Sequence, residues 1–312
     1  MRVFVTGASG WIGSAVVAEL IGAGHQVLGL ARSDASAAAL SAAGAEVSRG
    51  SLDDLDVLAA AALASDGVIH LAFKHDLAFS GDFEGAAKAD RLAAETFGEA
   101  LAGSDRPFVL ASGTIGLAPG RVATERDGHI PDLALADLPI GPRTRWATGE
   151  FVLSLASRGV RASVLRLPPT NHGAGDHGFI AALVAIARDK GVSAYVGDGS
   201  NRWPAVHRLD SARLFRLALE KAPTGSTLHG VAEEGIAIRD IAGVIGRHLD
   251  LPVVSISPEV TAEHFTWLAG FIGTDNPVSS ELTRQLMGWQ PINIGLIEDL
   301  DEGHYFHRPS TS

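Results

Sequence analysis

The chain holds no cysteine among its 312 residues. That removes disulfides, thiolate metal sites and cysteine nucleophiles together, and it fits a reducing compartment. Aromatic residues make up only 6%, with two tyrosines, Tyr195 and Tyr305, and there are four lysines, Lys74, Lys88, Lys190 and Lys221. Positive charge is outnumbered, 25 Lys and Arg against 36 Asp and Glu for a net charge of -11, so nothing draws the chain broadly to nucleic acid or an anionic membrane. No apolar run approaches the roughly 20 residues of a membrane helix, and the amino terminus shows no secretory leader. A G-x-S-x-G elbow, an H-E-x-x-H helix, a P-loop lysine and an EF-hand loop are all missing. A soluble, cytoplasmic protein acting on a small molecule is expected, with no nucleic-acid or membrane partner.

What remains is ample for a core: 46% hydrophobic residues against 20% charged. Short apolar runs alternate with helical periods through the first half, as in "RVFVTG", "HQVLGLA", "DGVIHLAF", "RPFVLAS" and "VRASVLRLP". The strands are continuous apolar runs, the pattern of a parallel sheet covered on both faces. The expected fold is α/β, a doubly wound parallel sheet of Rossmann type with a smaller intertwined C-terminal lobe. Residues 1–167, with 206–233 returning to them, are assigned to the dinucleotide-binding domain. Residues 168–205 and 234–312 are assigned to the substrate lobe, with a frayed tail "HRPSTS".

"VFVTGASGWIG" sets Gly7, Gly10 and Gly13 three apart between the first strand and first helix. The first permits a tight turn, the second lets backbone approach a pyrophosphate, and the third packs helix on strand, with the phosphate at the helix N-terminus. Ser9, Trp11 and Ile12 belong to the same loop. The second strand, "QVLGLARSD", ends on Arg32 and Ser33 where an NAD site usually carries an acid. A guanidinium beside a hydroxyl suits a 2'-phosphate, so NADP is favoured, with NAD possible through Asp34.

These motifs resemble the extended or atypical short-chain dehydrogenase/reductase superfamily of NAD(P)-dependent epimerases, dehydratases and reductases. "TGASGWIG" matches its glycine loop, "GVIHLAF" its fourth strand and "PFVLASGTIG" the fifth, which delivers a catalytic hydroxyl. "GVRASVLRLPPTNHG" resembles the sixth strand with its substrate loop, "NRWPAVHRLDSARLFRLALE" the return to the core, and "LMGWQP" the C-terminal signature. The resemblance implies cofactor contacts from Asp53, Leu71, Ala72, Lys74 and Pro168, and a homodimer through two helices of the large lobe.

In that family a tyrosine, with a lysine four residues on, handles the substrate proton at the start of the helix before the sixth strand. Here that stretch reads "GPRTRWATGEFVL", and no Tyr-x-x-x-Lys occurs anywhere. Aligning by Glu150 puts Pro142 and Trp146 at the two positions, and a shift of four puts Trp146 and Glu150 there; neither register supplies a phenol or an ammonium. Three readings compete. The chain is a reductase of a small carbonyl or imine with another proton donor, a catalytically quiet NADP-binding sensor, or an enzyme of nucleotide-sugar epimerase or dehydratase type. The first is favoured, because an imine arrives already protonated and a ketone needs only some positioned acid.

Replacement candidates are Ser112 and Thr114 after the fifth strand, against plain turn capping, and His75 after the fourth, against a solvated loop. His172, Arg202 and Trp203 are expected substrate contacts, each set against a structural role. His172 and His177 lack a defined third ligand, so no metal is expected. Arg143, Arg145 and Glu150 are expected to cluster as ion pairs.

Overall fold

The computed structural model describes residues 1–129 and 142–307. The last residues of the tail, 308–312, lie outside the described residues, as do the side chains of Pro142 and Arg143. Strand and helix alternate through β1 (Arg2–Thr6), α1 (Trp11–Gly22), β2 (Gln26–Ala31), α2 (Asp34–Ala42), β3 (Glu46–Arg49), α3 (Leu55–Leu63) and β4 (Gly67–His70). Next come α4 (His75–Phe79), α5 (Phe83–Leu101), β5 (Pro107–Gly113), α6 (Pro142–Ser154), β6 (Arg161–Leu167), β7 (Thr170–His172) and α7 (Phe179–Lys190). Then follow β8 (Ser193–Val196), β9 (Arg202–His207), α8 (Arg208–Lys221), β10 (Ser226–His229), β11 (Glu233–Ala237), α9 (Ile238–Leu249) and β12 (Val253–Ile256). Short helices α10 (Thr261–Phe265), α11 (Ala269–Ile272), α12 (Glu281–Met287) and α13 (Leu296–Asp301) close the chain.

Seven strands form one parallel sheet in the order β3-β2-β1-β4-β5-β6-β10. Alternation sends Val3, Val5, Ile69, Val109 and Leu165 to the face under α1 and α8, and Phe4, Val68, Phe108, Leu110 and Val164 to the face under α3, α5 and α6. Both faces are dry, which is why the strands carry no polar alternation. The strand order reverses between β1 and β4, and in such sheets the ligand crevice lies at the carboxyl ends beside that point. Among the described residues no helix is long and apolar enough to cross a membrane.

The C-terminal lobe has a three-stranded sheet, β7-β9-β11, and a two-stranded one, β8-β12, around a core with Trp203, Phe265 and Ile241. The last segment is latched to the large lobe. Trp289 is fully buried and its indole N–H donates to the Asp210 carbonyl at 3.1 Å. The Asp210 carboxylate, itself buried at the start of α8, accepts the amides of Ile292 and Asn293, each at 3.0 Å. Hydrogen bonds to a charged acceptor are the stronger class, and Asp210→Ala leaves two amides without it. We expect that variant to lose about 2–4 kcal/mol in urea unfolding followed by tryptophan fluorescence; an unchanged midpoint would show that the latch adds nothing.

Candidate active site

The glycine loop packs backbone on backbone. Gly7 takes a φ of +67°, and a Cβ there would lie 2.8 Å from the Ala72 amide nitrogen. A Cβ at Gly13 would stand 1.9 Å from the Gly7 carbonyl oxygen. Gly10, which closes the turn with a 3.0 Å bond to the Gly7 carbonyl, is the N-cap of α1 and offers no side chain to the first helical amides. Those amides are left for an anion, as a pyrophosphate site requires. Ser9 is exposed on the loop, Ile12 packs on the core, and Trp11 bridges the lobes by donating to the Asn171 carbonyl at 3.1 Å, with Arg208 4.2 Å over its ring.

At the end of β2, Ser33 caps α2 through a reciprocal pair with Ser36. Arg32 projects into solvent, with Asp76 at 3.5 Å as its loose partner. The register sets Arg49 beside Ala31, and Asp34 is turned away to pair with Arg49. Asp53 is occupied as well: both its oxygens bind the Lys74 ammonium at 2.7 Å. Leu71 and Ala72 continue β4 against the glycine loop, and Pro168, buried after β6, accepts the Asn171 side-chain amide at 2.9 Å.

The carboxyl ends of β4 and β5 hold a polar group that includes the expected Ser112 and Thr114. Ser112 is 5% exposed and its hydroxyl has no hydrogen-bond partner among the described residues. Thr114 is fully buried, 3.5 Å from the Asn276 amide, while the other atom of that amide group receives the Gly116 N–H. Arg145 reaches from α6 to donate to the Ala111 carbonyl at 2.9 Å and stacks 4.3 Å over the Phe73 ring. Behind it lies buried Asp90, 4.0 Å away, whose other oxygen is 3.3 Å from the His70 ring. His70 is held on its far side by the Thr6 hydroxyl at 2.6 Å. Burial lowers the Arg145 pKa, opposed by Asp90.

His75 opens α4 at the rim, edge-on to Phe73. Desolvation of its ring and the Arg145 guanidinium bring its pKa down to about 4, although the residue keeps an exposed edge. The ring is therefore neutral at pH 7. Trp146, at the aligned lysine position, is a buried plug packed with Leu117, Ala123, Val231 and Val278. Both tyrosines sit in the small lobe: Tyr195 in β8, and Tyr305 donating to Asp176 at 2.9 Å. The expected ion-pair cluster does not form from Glu150, which takes His129 instead at 2.8 Å, while Arg143 lies outside the description.

The expected substrate contacts fall elsewhere. His172 is 0% exposed and binds Asp299 at 2.9 Å, with His304 on the other oxygen. Trp203 is core, edge-on to Phe179. Arg202 alone is accessible; it pairs with Asp275 at 3.0 Å and lines an open cavity of about 440 Å³ with Asp198, Ser200 and Asn201. A second buried group, Glu125 with His229 and Arg166, sits at the ends of β6 and β10. Its Glu125 grips Thr283 through the amide at 2.7 Å and the hydroxyl at 2.6 Å.

Two measurements follow from this geometry. Gly13→Ala should cost about 1–3 kcal/mol by overpacking and abolish dinucleotide binding in a fluorescence titration; retained binding would refute the cradle. Burial holds His229 below the ordinary histidine range, against the pull of Glu125. Below pH ~6.5 the unfolded chain takes up a proton that folded His229 refuses, so stability is lost as pH falls. His229→Gln should flatten this slope between pH 7.5 and 5 in denaturant titrations, and an identical slope in both proteins would contradict the assignment.

The model of the NAD dependent epimerase/dehydratase family matches residues 3–229. An uncharacterized protein of Schizosaccharomyces pombe is 49% identical over 307 residues, 98% of this chain and 100% of its own length. A decarboxylating sterol-4-alpha-carboxylate 3-dehydrogenase of Dictyostelium discoideum is 27% identical over 243 residues, 76% of this chain and 73% of that protein. The solved UDP-glucose 4-epimerase of Thermotoga maritima, with UDP-glucose, shares the fold at a TM-score of 0.75 and 21% identity, covering 98% of both chains. From the glycine loop through the last strand of its parallel sheet, the chain belongs to the NAD dependent epimerase/dehydratase family.

Proposed function

We propose that the protein is an NADP-preferring oxidoreductase that reduces a small carbonyl or imine with a proton donor other than tyrosine. The observation that carries this reading is the Ser112 hydroxyl, buried at the carboxyl end of β5 and without a partner among the described residues. Leaving a buried hydroxyl unpaired costs about 1–3 kcal/mol, which supports a group that arrives later at this strand end. The loop fits a dinucleotide, since Gly7 and Gly13 let the turn close backbone on backbone and Gly10 leaves the first amides of α1 without a side-chain cap. When bound, the nicotinamide supplies hydride.

The residues divide the remaining work. The first amides of α1 hold the pyrophosphate. Arg32, with Ser33 beside it, receives the 2'-phosphate in exchange for its loose 3.5 Å contact with Asp76, while Asp34 and Asp53 are engaged by Arg49 and Lys74. Ser112 donates to the substrate oxygen as that oxygen takes up the C=O electron pair, and the proton it finally gains comes through this hydroxyl from solvent. Neutral His75 lines the rim and can donate a hydrogen bond without adding charge. An imine suits the same site, since it brings its own proton.

Arg32→Glu should weaken NADPH binding roughly tenfold or more while leaving NADH nearly unchanged, read from cofactor fluorescence. Equal losses for the two cofactors would remove the 2'-phosphate assignment. Wild-type protein should also oxidise NADPH with members of a panel of ketones, aldehydes and imines. Tight NADPH binding with no turnover above blank across the panel would leave a cofactor-binding protein instead.

A further inference from the structure

Arg145 is placed as few structural arginines are. A guanidinium carries five N–H donors, and among the described residues it makes a single hydrogen bond, from Nη2 to the Ala111 carbonyl. Nε is buried without a partner, and the one nearby carboxylate, Asp90, stands off at 4.0 Å. Asp90 is turned as much toward His70 as toward Arg145, so the two do not form the bidentate pair that an arginine kept for stability would make. Phe73 fixes the plane of the guanidinium from one side, and about a fifth of the side chain, 19%, stays accessible. The partner of its one bond is Ala111, the residue next to Ser112. That bond sets the guanidinium beside β5, one residue along the strand from the unpaired hydroxyl.

We propose that Arg145 anchors a carboxylate adjacent to the reacting carbon, so that the substrate is a 2-oxo acid or its imine rather than a neutral ketone. The inference rests on the oxidoreductase reading above and deepens it. The fork suits a carboxylate, which takes two parallel N–H bonds. It holds that group so that the neighbouring carbonyl oxygen faces Ser112. Hydride adds to C2, the C=O electron pair goes to oxygen, and a proton completes the hydroxyl, giving a 2-hydroxy acid and oxidised NADP. Asp90, behind the guanidinium, keeps Arg145 aimed outward and moderates its hold on the anion, which lets product leave.

The test pairs binding with turnover on the full chain saturated with NADPH. Oxamate, an unreactive carboxylate analogue, should bind wild type in calorimetry, and Arg145→Gln should weaken it roughly 100-fold or more. Arg145→Lys, which keeps the charge and covers the event that the glutamine variant fails to fold, should weaken it about tenfold. Asp90→Asn should bind oxamate more tightly, a gain that a purely structural ion pair would not give. In turnover, pyruvate, 2-oxobutanoate and phenylpyruvate should be reduced at least tenfold more efficiently than their methyl esters. Esters reduced as well as acids would overturn the anion anchor and leave the oxidoreductase standing. Arg145-dependent oxamate binding with no reduction of either class would keep the anchor and sink the oxidoreductase. No oxamate binding by wild type, or equal binding by Arg145→Gln, overturns the proposal outright.

Discussion

The Gly7 carbonyl occupies the space where a side chain at position 13 would have to be, 1.9 Å from the nearest possible Cβ. This contact lets α1 start directly beneath the end of β1, with no side chain over its first amides. The rest of the large lobe is organised around that start. Gly7 also meets the backbone at Ala72, tying the loop after β4 to the loop after β1. Thr6, one residue before the turn, holds His70, and His70 faces Asp90, which faces Arg145. The dinucleotide cradle and the polar group at the ends of β4 and β5 thus share one backbone contact and one chain of side chains.

That chain explains how the site stands without a tyrosine and lysine. The aligned lysine position has become Trp146, a plug under the lobe junction. One residue earlier Arg145 turns to the other side of α6 and brings a guanidinium to the carboxyl end of β5. Neutral His75 shares the rim with it, held uncharged partly by the same guanidinium. The position of that guanidinium is set by Ala111 and Phe73, with Asp90 4.0 Å behind it.

The sequence was legible where the physics is local. The glycine triplet, the apolar strands and the basic end of β2 act through neighbours a few residues away, and each is found where spacing predicts. It was not legible where function depends on distant pairing. His172 looked like a loop residue facing substrate, yet Asp299, 127 positions on, draws it into the small-lobe core. Arg145 looked like part of an ion-pair cluster with Glu150; its contacts are Ala111, 34 positions back, and Phe73. Glu125 gave no signal at all, because its partner Thr283 lies 158 residues downstream. Trp203 was ambiguous on principle, since an aromatic residue reads alike as core or as pocket wall until its neighbours are known.

The central claim is that hydride passes between a bound nicotinamide and a carbonyl or imine carbon in this cleft. Its most direct measurement is isotopic. The protein is incubated with NADPH deuterated at C4 on either face and a mixture of 2-oxo acids, ketones and imines, and the products are analysed by mass spectrometry. The account predicts deuterium on the carbinol or amine carbon of a product, from one face of the cofactor only. Cofactor that stays bound and fully deuterated, with no labelled product from any class, would contradict it.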